Sequence, residues 1–253
     1  MTEFVVAPDG VRIAFEIVGE GEPIVLVHGF GSDRRQNWRI PGWYETLGRA
    51  GYSVIALDCR GHGESGKPHD SAAYDEHVMA SDAALVLDAA GHERACIMGY
   101  SMGGAIALRF AHEHPQRIKG LVTGGVGATY FTRNQQWRIM IADGLLAEDV
   151  SLLSPVQRMF RDFASQSGKD RLALAACMRA PRFNMSRDDF ARISSPALVV
   201  CGETDEVSGP PEPLASALGN AHAILVPKRD HMLTVGDKMY KQAVIEFLGS
   251  LAR

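Results

Sequence analysis

No two cysteines of the sequence stand in a C-x-x-C spacing, which removes a zinc ribbon or a thioredoxin-like redox pair from consideration. The four present, Cys59, Cys96, Cys177 and Cys201, read as reduced, packed thiols, two of them inside the apolar runs Ala95 to Met98 and Ala197 to Cys201. Charge of one sign is equally scarce: 26 Lys and Arg against 30 Asp and Glu leave a formal net charge of -4 and a pI near 6.1. That balance offers no basic field to gather nucleic acid or anionic lipid, so the expected partner is a small neutral or mildly charged molecule. Long apolar runs are missing too. The longest uncharged stretch, Ala95 to Leu108, is broken by glycines and falls short of a membrane span, and the opening MTEFVVAPDG carries no basic n-region. We therefore expect a cytoplasmic protein with no membrane and no nucleic-acid partner; its oligomeric state leaves no trace in the sequence.

Apolar residues, by contrast, make up 46% of the 253 positions, enough to bury a core without disulfides or a structural metal, and one domain is the expectation at this length. Short runs rich in Val and Ile alternate with segments of helical period, the pattern of a mostly parallel sheet covered by helices on both faces. Val11 to Ile17 alternates as a strand, and Ile24 to Val27 reads as one buried on both sides. Two antiparallel strands are expected to open the sheet, with Val54 to Leu57, Cys96 to Met98, Leu121-Val122, Leu198 to Val200 and Ile224 to Val226 as its parallel core. Val78, Leu85 and Ala89 recur at helical spacing before Gly91, and Tyr240, Val244, Phe247 and Leu251 line one face of a C-terminal helix. From Gly127 to Arg192 the alternation stops, leaving helical periods and no good strand. The expected division is an α/β core of residues 1–126 and 193–253 carrying a helical cap over 127–192.

Gly99-Tyr100-Ser101-Met102-Gly103 follows one of these strands and opens a run of good helix formers. A serine on so sharp a strand-to-helix turn presents its hydroxyl above the sheet edge, and the tight turn requires glycine two residues to either side. The alternative is a glycine-rich helix start with a capping serine. A serine hydroxyl needs a base to take its proton. In the chain order serine, acid, histidine, the candidates are His112, His114, His222 and His231. His112 and His114 end the helix that Ser101 begins and face different directions, as expected of solvated residues favourable to the helix dipole; with Glu113 they also lack a metal-site spacing. His222 precedes its strand, whereas active edges lie at strand C-termini. His231 follows that strand on the correct edge. For the acid, the loop after Gly202 offers Glu203, Asp205 and Glu206; Asp205 is preferred for its reach toward His231, with Glu203 next. Asp230 adjoins His231 and its side chain should point elsewhere.

Val27-His28-Gly29-Phe30-Gly31, Asp58-Cys59-Arg60-Gly61-His62-Gly63-Glu64-Ser65, the Gly99 to Gly104 elbow, Asp205 and His231 together resemble the α/β-hydrolase superfamily over nearly the whole chain except the cap. The resemblance implies a Ser101–Asp205–His231 triad, an oxyanion hole made by the backbone N–H groups of Phe30 and Met102, and no cofactor or metal. It departs from the family at Asp230, where glycine often precedes the histidine. Serine rather than aspartate at position 101 argues against the dehalogenase and epoxide-hydrolase branches. What is implied is a serine esterase-like hydrolase of small carboxylic esters, lactones or thioesters. A carbon-carbon hydrolase, perhydrolase or hydroxynitrile lyase shares the same triad, and a ligand-sensing protein of slow turnover is the rival of a different class. Gly61 to Gly66 also fits G-x-G-x-x-G, but Lys67-Pro68 follows and no helix opens there to receive a pyrophosphate. Within the cap, Met140, Met159, Met178, Met185, Trp137, Phe160 and Phe163 are candidates for an apolar substrate pocket, at least half of them expected only to pack cap helices together.

Overall fold

Residues 1–132, 134–166, 168–181 and 185–251 are described by the computed structural model of the protein. The first strands are Glu3–Val6 (β1), Arg12–Val18 (β2) and Glu22–Val27 (β3), followed by a π-helical turn at Arg35–Arg39, the helix Trp43–Arg49 (α1) and the strand Tyr52–Leu57 (β4). Glu76–Ala89 (α2), Ala95–Tyr100 (β5), Met102–Glu113 (α3) and Ile118–Gly124 (β6) complete the first half. Next come the helices Gln135–Leu146 (α4), Pro155–Ala164 (α5), Arg171–Arg179 (α6) and Arg187–Ala191 (α7). Ala197–Gly202 (β7), Glu212–Leu218 (α8), Ala221–Val226 (β8), His231–Thr234 (α9) and Lys238–Leu251 (α10) close the chain. Among the described residues, no helix is long and apolar enough to cross a membrane.

The eight strands form one sheet in the order β1-β2-β4-β3-β5-β6-β7-β8, parallel from β4 through β8. Antiparallel pairing is confined to β1 with β2 and β2 with β4. Two antiparallel strands thus do open the sheet, but Ile24 to Val27 is not one of them: β3 lies between β4 and β5, parallel to both. The strand that joins β2 is Glu3–Val6, a mostly exposed edge whose short apolar stretch gave little sign of pairing.

Alternation explains the two layers. Ile24, Leu26, Val54 and Ala56 face one side and pack with Trp43, Leu47, Val244 and Leu248 of α1 and α10. Val25, Val27, Ile55 and Leu57 face the other, against Ala83, Val86 and Leu87 of α2 and Ile106 and Phe110 of α3. The strand order with its antiparallel second strand, together with helices on both faces of an otherwise parallel sheet, makes this an α/β-hydrolase fold. Between β6 and β7, α4 to α6 share a separate apolar cluster of Ile141, Ala142, Leu145, Ala164, Leu174, Ala175 and Met178, against which Phe30 packs. At the two ends of that segment, Tyr130, Met185 and Phe190 join the main core instead. Side-chain caps start these helices: Asn134 accepts from the Trp137 N–H, Asp170 from Leu172 and Ala173, and Ser154 forms a capping box with Gln157.

The loop after β4 is built around a buried cation. Arg60 has no exposed surface, and its guanidinium donates two bonds to Asp82 (2.7 and 2.8 Å), one to Asp9 (2.6 Å) and one to the Ala73 carbonyl (2.7 Å). Removing one partner of a buried pair leaves an uncompensated charge. Asp82→Ala is therefore expected to destabilise the fold by about 3–5 kcal/mol in urea unfolding. A loss below about 1 kcal/mol, the size of a surface pair, would show that the network is not holding this loop.

Candidate active site

Ser101 lies between β5 and α3 with φ 53° and ψ -114°, a conformation that costs on the order of 1–3 kcal/mol in a non-glycine residue. Its surroundings impose the turn. Its N–H donates to the Gly124 carbonyl (2.7 Å), its carbonyl accepts from Ala105 (3.1 Å), and a Cβ on Gly103 would overlap the Val27 carbonyl. The hydroxyl is thereby held at the C-terminal edge of the sheet beside the start of α3, where amides of the first turn have no intrahelical acceptor.

Asp205 and His231 arrive on the loops that follow β7 and β8. The loops approach so closely that a Cβ on Gly202 would overlap the Arg229 carbonyl. Asp205 is buried, its Oδ1 accepting from the N–H groups of Val207 and Ser208 (both 2.9 Å). Its Oδ2 lies 2.8 Å from His231 Nδ1, and His231 Nε2 lies 2.9 Å from Ser101 Oγ. Burial works to raise the Asp205 carboxyl, but the bond and charge of His231, with Ser208, hold it below the usual range. An ionised carboxylate only accepts, so Nδ1 carries the imidazole proton and Nε2 is left to accept from the serine hydroxyl. That arrangement can take a proton from Ser101 as its oxygen attacks a carbonyl.

Asp230 stands where the family often has glycine. Its Oδ1 accepts from Met232 and Leu233 (3.0 and 2.8 Å), capping α9, so the side chain turns away from His231 and fixes the helix on which the histidine sits. Glu203 is drawn to the Lys228 N–H (2.8 Å), and Glu206 and His222 are exposed. His112 instead meets the Asp189 carbonyl (3.2 Å). None of these four gathers at Ser101.

The Phe30 loop is pinned from beneath. His28, with no exposed surface, accepts the Cys59 N–H at Nε2 (2.9 Å) and donates from Nδ1 to the Gly29 carbonyl (2.8 Å), while Asn37 accepts the Gly29 N–H (3.0 Å). Phe30 and Met102 both border a narrow inner chamber of about 100 Å³ that opens at Ser101. A second, outer chamber of about 590 Å³ meets it there, lined by His231, Phe163, Met159 and Met232 among others. Ser101, Phe30, Phe160 and Val207 border both. Of the pocket candidates between 127 and 192, Trp137, Met178 and Phe160 line the inner chamber, and Met159, Phe160 and Phe163 the outer. Met140 and Met185 line neither: one packs against the cluster shared by α4 to α6 and the other is buried in the main core.

Two residues at the site had no signal in the spacing argument. Tyr100 donates its hydroxyl to the His231 carbonyl (2.6 Å) and lays its ring 5.4 Å from the imidazole. Gly125 leaves room for that imidazole, since a Cβ there would come within 2.9 Å of its Cε1. Tyr100 falls inside the elbow pattern at a position free to vary, which is why pattern matching passes over it.

Residues 22–186 match the family described as alpha/beta hydrolase fold, and the chain belongs to that family. It is 28% identical, over 96% of its length and 97% of the other, to a Bacillus subtilis protein provisionally named 2-succinyl-6-hydroxy-2,4-cyclohexadiene-1-carboxylate synthase. A 2-hydroxy-6-oxo-6-phenylhexa-2,4-dienoate hydrolase of Comamonas testosteroni is 36% identical over a stretch covering 54% of this chain and 48% of that one. Among solved structures, a thermophilic esterase from Thermogutta terrifontis superposes with a TM-score of 0.78 at 25% identity over the full length of both chains.

His62 lies under the Phe30 ring (5.8 Å between centroids), almost fully buried. Burial, with the neighbouring His28, pushes its pKa down from 6.5 to about 3. Between those values the unfolded chain binds a proton that the folded chain does not, so stability must fall as pH drops from 6.5 toward 3. Replacement by an uncharged residue removes that slope. We expect wild type to lose more unfolding free energy than His62→Gln between about pH 7 and pH 4.5 in urea titrations. Equal losses would contradict a neutral, buried His62.

Proposed function

We propose that the chain is a serine hydrolase that cleaves a small carboxylic ester, lactone or thioester through an acyl-enzyme. The observation that carries this reading is the unbroken run of hydrogen bonds from Asp205 through His231 to Ser101. Ser101 Oγ attacks the carbonyl carbon as His231 Nε2 takes its proton. Asp205 holds the imidazole in the required tautomer and offsets the charge of the imidazolium. The developing oxyanion is assigned to the backbone N–H groups of Phe30 and Met102, the second of which opens α3, where the helix terminus favours negative charge. His231 then returns the proton to the leaving group, and a water activated by the same nitrogen releases the acyl group. In this reading residues 127–192 act as a cap that shapes the substrate space, while 1–126 and 193–253 carry the chemistry, in the cytoplasm and on a small-molecule substrate. The Comamonas relative favours one second reading, carbon-carbon bond hydrolysis by the same three side chains.

Ser101→Ala is expected to lower turnover of an activated ester such as 4-nitrophenyl acetate by several orders of magnitude, with unchanged circular dichroism. His231→Ala should be comparably severe, and the double variant little worse than either alone, because a triad acts as a unit. Full activity in Ser101→Ala, or losses that multiply in the double variant, would remove the triad from the mechanism.

Asp205→Asn should cost up to about 10⁴-fold in kcat, since an amide favours the wrong imidazole tautomer. Glu203→Gln, altering a carboxylate engaged with the Lys228 amide, should change kcat little. The reverse order of severity would make Glu203 the acid.

A further inference from the structure

The two chambers that meet at Ser101 are not equivalent, and His231 tells them apart. It lines the outer chamber and is absent from the walls of the inner one. In ester cleavage a bond forms between Ser101 Oγ and the carbonyl carbon, the bond from that carbon to the alcohol oxygen breaks, and His231 delivers the serine's proton to that oxygen. The departing oxygen must therefore sit within reach of His231 Nε2, on the outer side.

Access points the same way. Met159 and Met232, on the outer chamber's wall, are 46% and 56% exposed, so the chamber opens to solvent, where an alcohol can leave and a water can enter. The inner chamber reaches buried side chains: Tyr74, Met79, Ile106, Cys177 and Met178 are each no more than 5% exposed. At about 100 Å³ it is smaller than the roughly 150 Å³ that admits a benzene ring, leaving space for an acyl chain of about two to four carbons. Two charged side chains, Glu76 and Arg138, also border it; the Arg138 guanidinium donates to the Cys177 and Met178 carbonyls (2.7 and 3.2 Å). The outer chamber, about 590 Å³ and walled by Phe30, Phe160, Phe163, Met159, Met232 and Val235, holds a much larger apolar group.

We infer that the substrates are esters of a short acyl group with a bulky apolar alcohol, the acyl group seated against Met178 and Ile106 and the alcohol against Phe163 and Met159. This assignment rests on the hydrolase reading above.

Two matched series test it. With 4-nitrophenyl acetate, butyrate and octanoate, kcat/KM is expected to fall at least about 10-fold from butyrate to octanoate. With ethyl, hexyl and benzyl acetates followed by pH-stat, it should rise about 10-fold from ethyl to the larger alcohols. Met178→Ala should raise the octanoate-to-acetate ratio by about 10-fold or more, whereas Met159→Ala should leave that ratio unchanged and weaken the preference for hexyl over ethyl acetate. Trp137→Ala, at a half-buried position on the same inner wall, serves if Met178→Ala does not fold. Activity that climbs with acyl length and ignores the alcohol, or a Met159→Ala variant that gains octanoate activity, would overturn the chamber assignment while leaving the hydrolase reading intact. No turnover of any ester in either series would overturn the hydrolase reading itself, and the assignment with it.

Discussion

The turn at Ser101 is the constraint around which the site is organised. A non-glycine residue at φ 53° is strained, and it stays there only because the surrounding backbone leaves no alternative. β5 is flanked by β3 and β6, so its end cannot shift without breaking ladders on both sides. α3 must start at once and pass so close to β3 that no side chain fits at Gly103. The cooperative stability of the whole sheet thus holds one half-buried, chamber-facing hydroxyl in place, and the first amides of α3 come with it.

Around that point the loops are fixed by polar bonds rather than by packing alone. Asp58, nearly fully buried at the end of β4, accepts from the backbone N–H groups of Arg34 and Glu64 (both 2.8 Å) and pairs with the Arg34 side chain. The Arg34 bonds tie the segment after β3 to the segment after β4, and the Glu64 bond closes the second segment on itself. Beneath Phe30, His28 adds another tie between the two by accepting from Cys59, and Asn37 holds Gly29 within the first. Groups arranged before substrate arrives need little reorganisation during reaction, which is where most electrostatic stabilisation of a transition state originates. The same logic holds on the other side of Ser101, where Tyr100, Asp230 and two backbone amides orient His231 and Asp205.

Much of this was legible in the sequence, for identifiable reasons. Glycines at 99 and 103 carry a steric signature that survives any surface variation, and Asp205 and His231 were found because chain order and strand edge leave few alternatives. Period-2 and period-3.6 patterns located the core strands and the long helices. Pairing direction was less visible: Ile24 to Val27 shows burial on both faces but nothing in it states which neighbours it takes. β1 is an edge strand with exposed side chains, so it lacks the pattern that burial writes. Between β6 and β7, a methionine facing a chamber and one filling a core share the same composition. Met178 and Met140 therefore looked alike until three-dimensional packing separated them. Tyr100 and Gly125 act through positions in space that no linear spacing records.

A Ser101 nucleophile activated by His231 is open to covalent capture. An alkyl fluorophosphonate carries a phosphorus centre that an activated serine attacks with loss of fluoride, and the product is not released by water on the time scale of the experiment. Peptide mass spectrometry of the treated protein is predicted to find stoichiometric phosphonylation on Ser101, and none on that residue in His231→Ala under the same conditions. An unlabelled protein, label on another residue, or labelling of Ser101 that persists without His231 would contradict the account.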